Sequence, residues 1–166
     1  MNEDQFIQRD RMRFTKNTLS SSLVIVAILF DVFYFINIYK SDVGHNVGNF
    51  YYQIRIGVSI IYNLVFMLAA FLSSEGVKNY KIEYCYVLIL IGVLQIVRIF
   101  ILPAQAAATE VTIGGSVYRV METAQHVRVV LYLLVSAACC LAGAFIGIRR
   151  CRELNAHMAS LAGQKA

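Results

Sequence analysis

Residues 19–39 read LSSSLVIVAILFDVFYFINIY, a run dominated by Leu, Ile, Val and Phe with one acid, Asp31, lodged well inside it. About 20 mainly apolar residues is the length a helix needs to cross a bilayer. A carboxylate at that depth costs roughly 2.5–3.5 kcal/mol on insertion scales, and such groups face protein rather than lipid. Asp31 therefore predicts polar partners on other membrane helices.

Three further apolar runs supply the helices, at about residues 54–72, 84–102 and 127–148. The whole chain of 166 residues is 58% apolar and only 15% charged. A soluble domain is nearer 45–50% apolar and about 25% charged, so the composition belongs to the membrane class. No Trp is present, and ten Tyr are available to form any aromatic belt. Basic residues precede the first run, as in a secretory leader. The run is too long for the apolar part of one, and no small-x-small site follows it. It is expected to be retained.

Between the runs the sequence turns. Residues 40–53 carry Asp42, Gly44, Asn46, Gly48 and Asn49, all turn formers. Residues 73–79 read as a short polar connection, and the third run is expected to stop before Pro103, the single proline. Glu110-Val111-Thr112-Ile113 and Ser116-Val117-Tyr118-Arg119 flank Gly114-Gly115, a pattern that predicts a β-hairpin in the loop between spans three and four. Nothing breaks the helical pattern after residue 148, so the basic tail 149–166 is expected to prolong span four. Residues 1–18 read as a polar N-terminal segment, either a short interfacial helix or a solvated tail.

Ten of the 15 Lys and Arg fall on the side of the two termini and five on the other. The positive-inside bias then places both termini in the cytoplasm of a cell membrane. The net charge of +5 serves orientation and anionic headgroups, because no basic run with interleaved aromatics suggests a nucleic-acid surface.

Counting about 1.5 Å per helical residue from the outer ends, Asp31, Ser59, Asn63, Gln95 and Ser136 lie roughly 9–15 Å deep, in one layer. Helical spacing groups them further. Arg55, Ser59 and Asn63 recur every fourth residue, and Gln95 and Arg98 are three apart. Arg128, Tyr132 and Ser136 step by four, and Asp31 and Tyr34 by three. Each span thus has one polar stripe, expected to face the bundle interior. The economical reading is an Asp31–Arg98 ion pair with Gln95 and Tyr34 completing its hydrogen bonds. Such a pair either fixes helix register or lines an outward-opening pocket for a small anionic ligand or an ion. Arg55 and Arg128 lie near helix N-termini, where the dipole disfavours cations and an anion would compensate.

Span four also carries Cys139, Gly143 and Gly147, a small-xxx-small ladder that lets helices approach closely. Its use is packing inside the bundle, against a second copy, or against a heteromeric membrane subunit. Catalytic patterns are lacking. The four cysteines include no CxxC, the three histidines are scattered without metal-ligand spacing, and no GxSxG, HExxH or phosphate loop occurs. No cofactor and no metal is expected.

The expected fold is an all-α, antiparallel bundle of four transmembrane helices with a small outer hairpin. The expected role is a non-enzymatic accessory or interaction subunit of a membrane complex. The alternative is a small transporter, channel or ligand-binding protein built on the polar layer.

Overall fold

The computed structural model describes residues 3–40, 50–108, 110–113, 116–119 and 121–163. Five helices carry the fold: α1 (Glu3–Arg11), α2 (Thr18–Lys40), α3 (Phe50–Lys78), α4 (Ile82–Ala108) and α5 (Thr123–Gly163). The last four are long and apolar enough to cross a membrane, as a multi-pass membrane protein requires.

These four pack in the cyclic order α2–α3–α4–α5, so α2 and α4 face each other across the diagonal. Contacts fix their directions. Ser21, early in α2, meets Ser74, late in α3, and Tyr39, at the end of α2, meets Ser59, early in α3. Gln125, at the start of α5, donates to the Asn37 carbonyl near the end of α2. Successive spans are therefore antiparallel, and both termini lie on one face.

Two apolar clusters fill the interior. One, in the half nearer the termini, gathers Val24, Phe66, Ala70, Val77, Leu88 and Ala144. The other, in the opposite half, gathers Tyr34, Ile38, Met121, Val129 and Leu133. In lipid, burying apolar surface between helices gives little net drive, so close packing and interhelical hydrogen bonds hold the spans together. Gly143 and Gly147 serve that packing within the bundle. A Cβ on Gly143 would lie 3.2 Å from the Ser20 carbonyl oxygen of α2. One on Gly147 would lie 2.7 Å from Cys85 Sγ of α4.

Several expectations need correction. The first concerns the β part of the fold class. The membrane-length part of the fold is all helix, and a complete β-hairpin is not among the described residues. Its Gly114-Gly115 turn lies outside them. What remains is two four-residue extended segments, β1 (Glu110–Ile113) and β2 (Ser116–Arg119), in antiparallel register from Glu110 opposite Arg119 to Ile113 opposite Ser116. Two strands this short are marginal by themselves, so the helices carry the stability.

Second, α4 does not stop at Pro103 but runs through it to Ala108. Proline deletes one backbone donor, and a membrane helix tolerates it where neighbouring groups compensate. Third, the supposed polar connection at 73–79 is mostly the last turns of α3. Its serines are satisfied inside the bundle, Ser73 Oγ donating to the Ala69 carbonyl and Ser74 Oγ bonding Ser21 Oγ at 2.8 Å.

The true α3–α4 turn is short. Tyr80 N–H donates to the Val77 carbonyl and Lys81 N–H to the Gly76 carbonyl, the two bonds of a Schellman cap. Tyr80 takes the left-handed residue of that cap, at φ 56°, where glycine is usual. For a residue with a Cβ this conformation costs roughly 1–2 kcal/mol. Of the turn-forming loop expected at 40–53, Lys40 ends α2 and residues 50–53 open α3, and residues 41–49, with His45, lie outside the described residues.

At the N-terminus, α1 is a helix that docks on the extension of α5. Phe6 lies edge-on to the His157 ring with centroids 5.1 Å apart, and Asp10 Oδ1 approaches His157 Nε2 at 3.6 Å.

Candidate functional site: a closed polar layer

The antiparallel order brings the middle of α2 opposite the fourth and fifth turns of α4. Asp31 is 3% exposed, Arg98 4%, and Gln95 and Ser136 1% each. Arg98 Nη1 donates to Asp31 Oδ1 at 3.1 Å and to Gln95 Oε1 at 2.6 Å. Gln95 Nε2 donates to Asp31 Oδ2 at 2.6 Å and approaches Ser136 Oγ at 3.4 Å. Gln95 thus engages both amide hydrogens and its carbonyl, and each carboxylate oxygen accepts one bond. Gln95 and Arg98 reach the same acid because residues three apart share a helix face.

Arg98 has a second environment. Its Nη2 is buried and makes no hydrogen bond. Aromatic rings surround the guanidinium: its carbon lies 4.7 Å from the Tyr34 ring centroid, 5.3 Å from that of Phe66 and 5.6 Å from that of Tyr62. Desolvated cation–π contacts contribute up to about 2 kcal/mol. Three rings from α2 and α3 therefore share the guanidinium with the carboxylate of Asp31.

The sequence grouping divides in space. Asp31, Tyr34, Gln95, Arg98 and Ser136 come together. Ser59 and Asn63 join a separate cluster nearer the end of α2, where Ser59 Oγ lies 2.7 Å from the Tyr39 hydroxyl and Asn63 Nδ2 donates to that hydroxyl at 3.2 Å. Tyr132 packs with the rings of Phe30 and Phe33. Arg128 is exposed, and the side chain of Arg55 lies outside the described residues. Cys139 is half-buried beside the buried Cys140, and all four cysteines are free thiols. Among the described residues no group of His, Cys, Asp and Glu is arranged to hold a metal ion.

The aromatic pair Tyr62 and Phe66 was not singled out in the sequence, although its i, i+4 spacing flanks Asn63. Nor was a second polar network at the end that carries the termini. There the fully buried Asn17 accepts from Arg150 Nη1 at 2.9 Å and donates through Nδ2 to Ser20 Oγ at 3.0 Å. The Asn17 N–H also donates to the Lys78 carbonyl, tying α2, α3 and α5 together.

Fold and site together define a class: a four-span multi-pass membrane protein with an intramembrane ion pair. No protein-family model, curated protein or solved structure matches the chain.

Proposed function

We propose that this chain is a non-enzymatic accessory or interaction subunit of a membrane complex, with both termini cytoplasmic in the cell membrane. One observation carries the reading: the polar layer is closed on itself. A transport path or ligand pocket needs polar groups with unused capacity facing water. Here Asp31, Gln95 and Arg98 bond one another and Ser136 bonds Gln95, within a layer at most 4% exposed. The ion pair then acts as a register pin, a use well attested for buried polar groups. What the protein offers to others is its outer surface of lipid-facing apolar side chains and its two tails. The lysine and arginine bias supports the orientation.

The test is extraction of the tagged native protein in lipid nanodiscs without detergent. A membrane partner, or a second copy, should come with it in fixed stoichiometry. A lone monomer recovered at native expression levels would contradict the proposal.

A second reading is favoured by the buried Arg98 Nη2, which has no acceptor. On that reading the layer holds a small anion or ion, as in a small transporter, channel or ligand-binding protein. Asp31→Asn would then abolish the response while leaving expression and assembly intact. Failure of the variant to assemble would return the pair to its structural role.

A further inference from the structure

On the face that carries both termini, α1, its link to α2, the α3–α4 turn and the extended end of α5 frame a half-open pocket of about 640 Å³. That is the size of a small-ligand site. Arg9, Arg11, Lys16, Arg149 and Arg150 line it, with one acid, Glu153. Glu153 is engaged by Arg149 at 3.0 Å, and no acidic side chain pairs with Arg11 or Lys16 among the described residues. Gathering cations in one concavity focuses their field and raises the local concentration of anions.

The cavity is also built rather than incidental. Arg150 is fixed by its bond to the buried Asn17, which leaves its other N–H groups for an oxyanion. Tyr80, Met12 and Ile146 form the apolar part of the wall. Tyr80 is the residue held in the left-handed conformation, and strain of that kind collects at ligand clamps.

Position along the chain decides what the anion is. Lys16 stands two residues before Thr18, the start of the first membrane-length helix. Phe14, in the same linker, is 80% exposed, and Leu19 at the start of α2 and Ile7 on α1 are exposed apolar side chains. A phosphate in this cavity sits at headgroup level, next to apolar groups suited to the acyl region. We propose that the cavity binds the phosphate-bearing headgroup of an anionic phospholipid from the leaflet on the terminus-bearing side.

Native mass spectrometry of the full-length protein, exchanged with phosphatidylglycerol or phosphatidylcholine, tests this. Phosphatidylglycerol should be retained about ten-fold more strongly. The double variant R11Q/K16Q should lose that preference. K81Q/R152Q, which removes the same charge from exposed positions outside the cavity, should keep it. All four side chains are exposed, so both variants should melt as the parent does. Equal retention of the two lipids, or equal loss of preference in both variants, would overturn the site. Displacement of the lipid by inorganic phosphate at matching concentration would make it a site for a soluble anion and overturn the lipid assignment.

Discussion

The guanidinium of Arg98 meets the carboxylate of Asp31 at 3.1 Å across the diagonal of the bundle, with both side chains 4% exposed. This contact joins the two spans that are not neighbours in the cyclic packing order. A buried ion pair is not stabilising merely by existing, since desolvation offsets much of the attraction. Here added hydrogen bonds and aromatic faces supply what the pair alone lacks. The consequences can be measured.

Gln95 bridges the pair, so its loss should be felt by the charge it solvates. Gln95→Leu keeps the volume but removes the 2.6 Å bond to Asp31 Oδ2. Hydrogen bonds to charged groups are worth about 1.5–3 kcal/mol, and unfolding in detergent should show a loss of that size. A neutral result would mean that water or another group replaces the amide.

Phe66 touches Arg98 only through its ring face, 5.3 Å from the guanidinium carbon to the centroid. Phe66→Leu should destabilise by about 0.5–2 kcal/mol when Arg98 is present, and by less in an Arg98→Leu background. The same loss in both backgrounds would assign Phe66 to packing alone.

Gly147 brings α5 close to Cys85 of α4 and Val77 of α3. Gly147→Ala would bring a methyl to 2.7 Å from Cys85 Sγ and 3.0 Å from Val77 Cγ1. Overpacking of this sort costs about 1–3 kcal/mol. Adding Cys85→Ala should recover part of the loss in the same thermal-unfolding assay. Gly57→Ala, with nothing within 4 Å of the new methyl, should be neutral or slightly stabilising.

The span count was readable in the sequence because length and apolarity suffice for it. Asp31 was readable because a charge stands out in lipid, and Gln95 and Arg98 because three-residue spacing puts them on one face. Ser59 and Asn63 were grouped with them by depth and by their four-residue stripe. Depth does not give the direction a stripe faces, and these two turn to Tyr39. The i, i+4 spacing of Tyr62 and Phe66 does not by itself give their partner, since an aromatic ring facing lipid and one facing a guanidinium read alike in sequence.

Pro103 misled because its local preference is overridden inside the bundle. Ser73 and Ser74 misled because a polar residue satisfied by a neighbouring span looks like a loop. The basic pocket was invisible because its wall joins residues 9–16, Tyr80 and residues 146–153, which are distant in the chain and meet only in the folded bundle.

The central claim is that Asp31 and Arg98 act as one unit inside the membrane. A double-mutant cycle with Asp31→Asn and Arg98→Gln, read by reversible unfolding in detergent or bicelles, tests it most directly. Each single substitution strands the other charge and should cost about 3–5 kcal/mol, while the double variant should lose little more than either single one. Losses that simply add, or an Asp31→Asn variant as stable as the parent, would contradict the account.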